Sequence, residues 1–371
     1  MKKTAGLILS IVLVLVISAC GGNNGGNNES SGNNKPAGEQ NGTSQPATEA
    51  PQQTDEASKE PITVTLGIFK NVTHAAGYIA LENGYFQKNF GDHVKIEVLA
   101  FDNGSDFSTA LATGEIDFGY TGPGPATNQF LKSNNFRVVS GADNGGAVLV
   151  AGKDSGVNSV KDLVGKTIAI PTKGSTNEIS LRLLLKQEGV EVTTDSSGAQ
   201  IVARAPSDTL VALRQNEVHA TLIPEPWGTQ IEQEGIGKVI VPWDQIPPNN
   251  GNYPLVILTA SDKFISEHRD LVKAAIKSNL EAIEFIKANP DQSYELINKR
   301  LSELSGKGLD LELIKAAISH LTLTSDVNQA AIEEMAKVSI EAGYIKDITV
   351  DTLDLSKFID TTLLEEVKNG Q

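Results

Sequence analysis

Ser105-Asp106-Phe107-Ser108-Thr109-Ala110-Leu111-Ala112-Thr113-Gly114-Glu115-Ile116-Asp117-Phe118-Gly119-Tyr120 returns 102 residues later as Ser207-Asp208-Thr209-Leu210-Val211-Ala212-Leu213-Arg214-Gln215-Asn216-Glu217-Val218-His219-Ala220-Thr221-Leu222. Both stretches keep Ser-Asp-x-x-x-Ala-Leu-x-x-x-Glu, and both pass from a helical spacing into a short apolar run. Upstream, Ile62 to Phe69 and Lys166 to Ile170 have strand composition, with Thr65 and Thr167 again 102 apart. A strand, a loop, a helix and a second strand, repeated at one offset, predict two α/β lobes built alike. Ligands bind at the carboxyl ends of strands in open α/β sheets, so two such lobes facing each other enclose a ligand.

The remaining elements extend this plan. Ala75 to Glu82 reads as a helix ending near Asn83-Gly84, and Val94 to Leu99 as a strand. Ile116 to Tyr120 is a strand running into Thr121-Gly122-Pro123-Gly124-Pro125 and another helix. In the second half Glu178 to Gln187 is a helix, Ile201 to Ala203 a strand, and Val218 to Leu222 a strand ending at Pro224-Glu225-Pro226-Trp227. Alternation of strands and helices implies parallel pairing. After the Pro- and Asn-rich stretch from Ile246 to Pro254, a strand at Leu255 to Thr259 is followed by a helix-rich segment expected to pack on the first lobe. Ser266 is its expected N-cap, Val272, Ile276, Leu280, Ile283 and Ile286 form one apolar face, and the last helix is expected over Leu355 to Lys368.

The N-terminus has a different character. Lys2 and Lys3 precede an apolar run, Leu7 to Ile17, too short to span a bilayer, closed by Ser18-Ala19-Cys20. This resembles the bacterial lipobox and implies a signal peptide over 1–19 with lipidation at Cys20. Two acyl chains suffice for stable anchoring, which places the protein on the extracytoplasmic face of the cell membrane. Residues 21 to 60 contain no aromatic residue, Val, Leu or Ile, and read as a disordered tether. As a flexible coil it would span roughly 35 Å end to end.

Composition excludes several classes. The formal charge of -15, about -17 without Lys2 and Lys3, argues against nucleic acid. Cys20 is the only cysteine, so no disulfide framework, thiolate nucleophile or cysteine-based metal site is expected. Gly165-Lys166-Thr167 imitates a phosphate loop but precedes a strand, and Gly122-Pro123-Gly124 lacks a third dinucleotide-loop glycine. His74, His93, His219, His268 and His320 are scattered, and no cofactor is called for.

Candidate binding residues fall at strand ends. Helix N-termini offer unpaired N–H groups, and Ser105, Thr121, Ser175 and Thr176 add hydroxyls there. Each also has a plain capping role: Ser175 and Glu178 have capping-box spacing, and Ser105 and Ser207 read as N-caps. His74 at a helix start is either a neutral donor to an anion or an exposed residue. Glu225 either meets a ligand amine, as in taurine, or caps the following helix. Trp227 either walls the cleft or fills core.

Thr73-His74-Ala75, Gly104-Ser105-Asp106, Gly114-Glu115-Ile116-Asp117, Gly122-Pro-Gly-Pro125, Lys161-Asp162-Leu163 and Glu225-Pro226-Trp227, in this order over about residues 62 to 365, resemble the substrate-binding proteins of ABC importers for aliphatic sulfonates, nitrate and taurine. The resemblance implies a type II periplasmic-binding-protein fold. Lobe 1 would comprise 61–150 and 250–371 and lobe 2 151–249, preceded by the lipidated linker 20–60, with crossings near Val150 and Asn250. By the same resemblance the ligand loops hold Thr73, His74, Gly104, Ser105, Thr121, Gly122, Asn144, Gly145, Ser175, Thr176 and Glu225. The implied ligand is a small anionic or zwitterionic molecule, an organosulfonate with taurine as the specific expectation. The implied partners are permease and ATPase subunits, with the protein a monomer and not an enzyme. Nitrate, bicarbonate or thiamine-precursor binding, a sensor, and a pyrimidine-synthase-like enzyme on the same scaffold are the alternatives.

Overall fold

The computed structural model describes residues 60–370; the signal segment, Cys20 and the tether expected before Glu60 lie outside them. Eleven strands are described: β1 Ile62–Phe69, β2 Val94–Phe101, β3 Phe118–Thr121, β4 Phe136–Gly145, β5 Ala147–Gly152, β6 Thr167–Ile170, β7 Gln200–Ala203, β8 Ala220–Pro224, β9 Gly237–Val241, β10 Pro254–Ser261 and β11 Leu321–Leu323. They form two sheets, ordered β11-β4-β10-β3-β1-β2 and β7-β6-β8-β5-β9. This is the two-lobed periplasmic-binding-protein architecture expected from the sequence.

The 102-residue repeat is present in the pairing register itself. Leu66 and Gly67 of β1 face Phe118 and Gly119 of β3, while Ile168 and Ala169 of β6 face Ala220 and Thr221 of β8. The amide of Asp117 donates to the Thr65 carbonyl at 2.9 Å, and that of His219 to the Thr167 carbonyl at 2.8 Å. A side chain returns each bond: the Thr65 amide donates to Asp117 Oδ2 (2.8 Å), and the Thr167 amide to His219 Nδ1 (3.1 Å). The same backbone solution is met by a carboxylate in one lobe and an imidazole in the other.

β3 and β8 both begin two residues later than the apolar runs suggest. The preceding helices, Gly104–Thr113 and Pro206–Arg214, end on left-handed residues, Gly114 (φ 78°) and Asn216 (φ 56°). The amides of Glu115 and Glu217 then turn back to the carbonyls of Ala110 and Ala212, both at 2.9 Å. Ile116 and Val218 are therefore the buried apolar residues of a helix C-cap rather than strand residues.

Several expectations are corrected. The sheets are mixed, not parallel, because β10 returns from the second lobe antiparallel to β3 and β4, and β5 runs antiparallel to β8 and β9. Val150 lies inside β5; the chain passes between sheets at Gly145-Gly146, with φ of 76° and 75°. A Cβ on Gly145 would stand 2.7 Å from the Trp243 ring, so this crossing has room for glycine only. The return crossing lies between Val241 and Pro254 and includes Asn250. Ser266 lies inside the helix Asp262–Glu267, which Ser261 caps by accepting the Phe264 amide at 3.1 Å. The last helix is only Thr362–Lys368. Phe358 drops into the core against Phe130, and the backbone around it bonds to Val138 of β4, which holds that stretch extended.

The C-terminal helices mostly cover the first sheet, with Arg269–Ala288 packed on Ala75–Glu82 and Tyr85–Phe90. The helix Gln329–Glu341 touches both lobes, meeting Pro123–Ser133 on one side and Thr176–Gln187 on the other.

Candidate ligand cleft

A cleft of about 340 Å³ lies between the two sheets, walled by the carboxyl ends of strands from both lobes. The first lobe contributes Phe69, Asn71, Thr73 and His74 after β1, Asp102 to Gly104 after β2, and Gly122 and Pro125 after β3. The second contributes Pro171, Thr172 and Ser175 to Asn177 after β6, Ala203 to Pro206 after β7, and Pro224 at the end of β8. Leu255 and Val256 of β10 close the back.

Several polar groups on this wall are held by their local structure. Ser175 caps the helix Thr176–Gln187 by accepting the Glu178 amide at 3.2 Å, which leaves its own hydroxyl proton free to donate. Thr176 Oγ1 accepts the Gly124 amide from the opposite lobe at 3.1 Å, and its proton is likewise free. Asn128 also crosses the seam, donating to the Gly174 carbonyl at 3.3 Å. Asn177 is buried, and its Nδ2 donor has no protein partner.

His74 is buried, stacked on Phe69 with ring centroids 4.6 Å apart, and its Nδ1 accepts the Phe69 amide at 3.3 Å. Burial pushes its pKa down to about 3. The ring is therefore neutral, and with Nδ1 accepting, the proton sits on Nε2. Arg204 stands at the rim, half-buried and 3.0 Å from Glu217.

Six of the eleven expected ligand residues thus share the wall: Thr73, His74, Gly104, Gly122, Ser175 and Thr176. The other five do not line it. Ser105 is an exposed residue inside the helix that Asn103, not Ser105, caps, and it lines a smaller side cavity of about 140 Å³. Ser207 likewise lies within its helix, where Ala205 is the N-cap. Thr121 is buried under Gly104, its hydroxyl without a protein partner. Asn144 and Gly145 belong to β4 rather than a loop, and Asn144 bonds Asn252 at 2.9 Å. Trp227 packs with the second-lobe core.

Glu225 turns away from the cleft and is wholly buried. Its Oε1 lies 2.7 Å from His320 Nδ1, and its Oε2 accepts the Thr229 amide at 2.9 Å. The hydrogen bond to Glu225 raises the His320 pKa, and both carboxylate oxygens are occupied, one by the imidazole and one by the following helix. Pro224, its neighbour, takes the place on the wall.

Phe69, Asn177 and Arg204 were not foreseen. Arg204 had a signal in the sequence, since it lies 102 residues after Asp102 at the matching strand end of the second lobe.

The wall therefore combines neutral donors with apolar surface from Phe69, Pro125, Pro171, Pro206, Pro224 and Leu255, and Asp102 and Arg204 are the charged residues that line it. Helix starts from both lobes can hold an oxyanion without a buried cation. No group of three or more His, Cys, Asp or Glu that could hold a metal is found among the described residues.

A family model described as the NMT1-like family matches residues 57–299. A protein of Brucella abortus named only as a candidate binding protein is 29% identical over 223 residues, covering 60% of this chain and 66% of its own length, just under two thirds. The taurine-binding periplasmic protein of Escherichia coli is 28% identical over 288 residues, covering 74% of this chain and 85% of its own. Among solved structures, the alkanesulfonate-binding protein of Xanthomonas axonopodis bound to MOPS aligns with a TM-score of 0.63 at 19% identity, over 77% of this chain and 93% of that one.

Proposed function

The chain belongs to the NMT1-like family, and from that premise we propose that it is the solute-binding component of an ABC importer that captures a small organosulfonate between its lobes. The observation that carries this reading is the cleft wall: neutral N–H and O–H donors from helix starts of both lobes, backed by apolar surface. A sulfonate is permanently anionic and tetrahedral, so it accepts several such bonds at once and needs no proton transfer. A ligand touching both lobes favours the closed arrangement, and the closed arrangement is what a permease would recognise. No bond is made or broken, in keeping with relatives named as binding proteins. Lobe movement would centre on Gly145-Gly146 and on the crossing between Val241 and Pro254. Lipidation at Cys20 would keep the protein at the extracytoplasmic face beside its permease and ATPase partners.

The engaged state of Glu225 bears on the choice of sulfonate. With its oxygens held by His320 and Thr229, it offers nothing to a ligand amine. An apolar wall and a volume of about 340 Å³ favour an alkanesulfonate with a hydrocarbon substituent over taurine.

Replacing Ser175 and Thr176 together by alanine tests the second-lobe contacts. Losing two hydroxyl donors is expected to weaken alkanesulfonate binding at least tenfold, at about 1 kcal/mol per bond. Unchanged affinity in a titration would remove this helix start from the site. Native mass spectrometry of the purified protein checks the ligand class, with retained mass matching a sulfonate.

A further inference from the structure

The seam between the lobes contains a second polar cluster, outside the cleft, on which the ligand loop depends. Glu178 lies in the first turn of the helix Thr176–Gln187 and is wholly buried. Its Oε2 accepts the amide of Gly174 at 2.7 Å, and its Oε1 accepts Arg182 Nε at 2.8 Å. Gly174 has φ of 73°, and its bond to Glu178 fixes the turn that presents Thr172, Ser175 and Thr176 to the cleft. The remaining donor comes from the other lobe. Tyr344 reaches across from the turn after the helix Gln329–Glu341 and places its hydroxyl 2.8 and 2.7 Å from the two carboxylate oxygens. Burial, then the bond to Glu178, pushes its pKa up to about 12, so the hydroxyl keeps its proton and donates.

We infer that Tyr344 is a positioning residue for ligand capture: its hydroxyl completes the Glu178 carboxylate across the seam, so the ligand loop holds its binding shape best when the lobes are together. This rests on the cleft being the ligand site. Separation of the lobes withdraws one donor from a buried charge while Gly174 and Arg182 remain, and closure restores it. The contact exists only between lobes, so it strengthens the closed state without touching the ligand. Lys186 and Glu341, paired at 2.9 Å on the exposed side of the same seam, lie where water screens them and add little.

Tyr344→Phe in the full chain keeps the ring and removes the hydroxyl. With hexanesulfonate as probe, dissociation is expected to speed up roughly tenfold with little change in association rate, because a bond to a charged group is lost only from the closed state. In the hexanesulfonate-bound protein, amide exchange at Gly174 is expected to rise. Combining Tyr344→Phe with Glu178→Gln should weaken binding by less than the product of the two separate effects. Unchanged dissociation in Tyr344→Phe, or strictly multiplicative effects in the double variant, overturns the inference. If the unmodified chain does not bind hexanesulfonate, the reading of the cleft fails first, and the role of Tyr344 that rests on it falls with it; binding by the unmodified chain with unchanged dissociation in Tyr344→Phe overturns the role of Tyr344 alone.

Discussion

Gly124→Ala is expected to lower ligand affinity by about 100-fold, or ~2.7 kcal/mol, while leaving the unliganded protein at least as stable as before. Gly124 lies in the first turn of the helix Pro123–Ser133, where the two lobes come together. A Cβ there would stand 2.8 Å from the Thr176 amide nitrogen and 3.1 Å from both the Gly174 carbonyl oxygen and the Ser175 carbonyl carbon. These are backbone atoms of the opposite lobe, so no rotamer change relieves the contact and the lobes must stay apart. Within its own helix, alanine is a better helix former than glycine by up to about 1 kcal/mol. Loss of binding in calorimetry with an unchanged or raised Tm would therefore separate blocked closure from misfolding. Retained affinity would show that closure does not bring Gly124 against this loop.

Acidification from pH 6.5 toward pH 3 is expected to destabilise the protein through His74, by on the order of several kcal/mol. The folded pKa of His74 is about 3, against an ordinary value of 6.5. Between those values the unfolded chain binds a proton that the folded chain excludes, so this contribution is complete above about pH 6.5 and lost as pH falls. His320 works in the opposite direction. Its pKa is raised by Glu225, so its contribution is full below 6.5 and fades as pH rises through the raised value. Asp143, buried and raised well above the usual carboxylate range, also favours the acidic side. The test is therefore the difference in unfolding free energy between the unmodified chain and His74→Gln, followed by denaturant titration from pH 7.5 to 4. The difference should shrink as pH falls. A constant difference would mean that His74 titrates normally and is not a neutral donor on the wall.

Much of the fold was legible because the repeat constrains geometry as well as composition. Thr65 and Thr167 sit at the same place in two parallel registers, and the capping turns at Gly114 and Asn216 are built from the same backbone bonds. β4 and β5 escaped notice for a physical reason. Nearly every residue from Phe136 to Gly152 is buried, so no alternation marks a strand, and two glycines disguise the crossing as a loop. Mixed pairing was equally hidden, since β10 is brought to the sheet by the return from the second lobe rather than by a local crossover.

The candidate site was legible where a strand end passes directly into a helix, as at His74 and Ser175. It was misleading where position in a loop stood in for direction. Glu225 and Pro224 are neighbours, yet only the proline faces the cleft; the partner that turns Glu225 inward, His320, lies 95 positions away. Nothing in the local sequence announces that pairing. Tyr344 is similar: it acts on the loop only through Glu178, 166 positions earlier.

The proposal that a sulfonate is held between the lobes is tested most directly by calorimetric titration of the ligand-free protein with hexanesulfonate, taurine, nitrate and hexylammonium. Saturable one-to-one binding of hexanesulfonate, tighter than taurine and with a negative heat-capacity change from burial of the alkyl chain, is the predicted result. Binding of hexylammonium or nitrate, with no heat from either sulfonate, would contradict it.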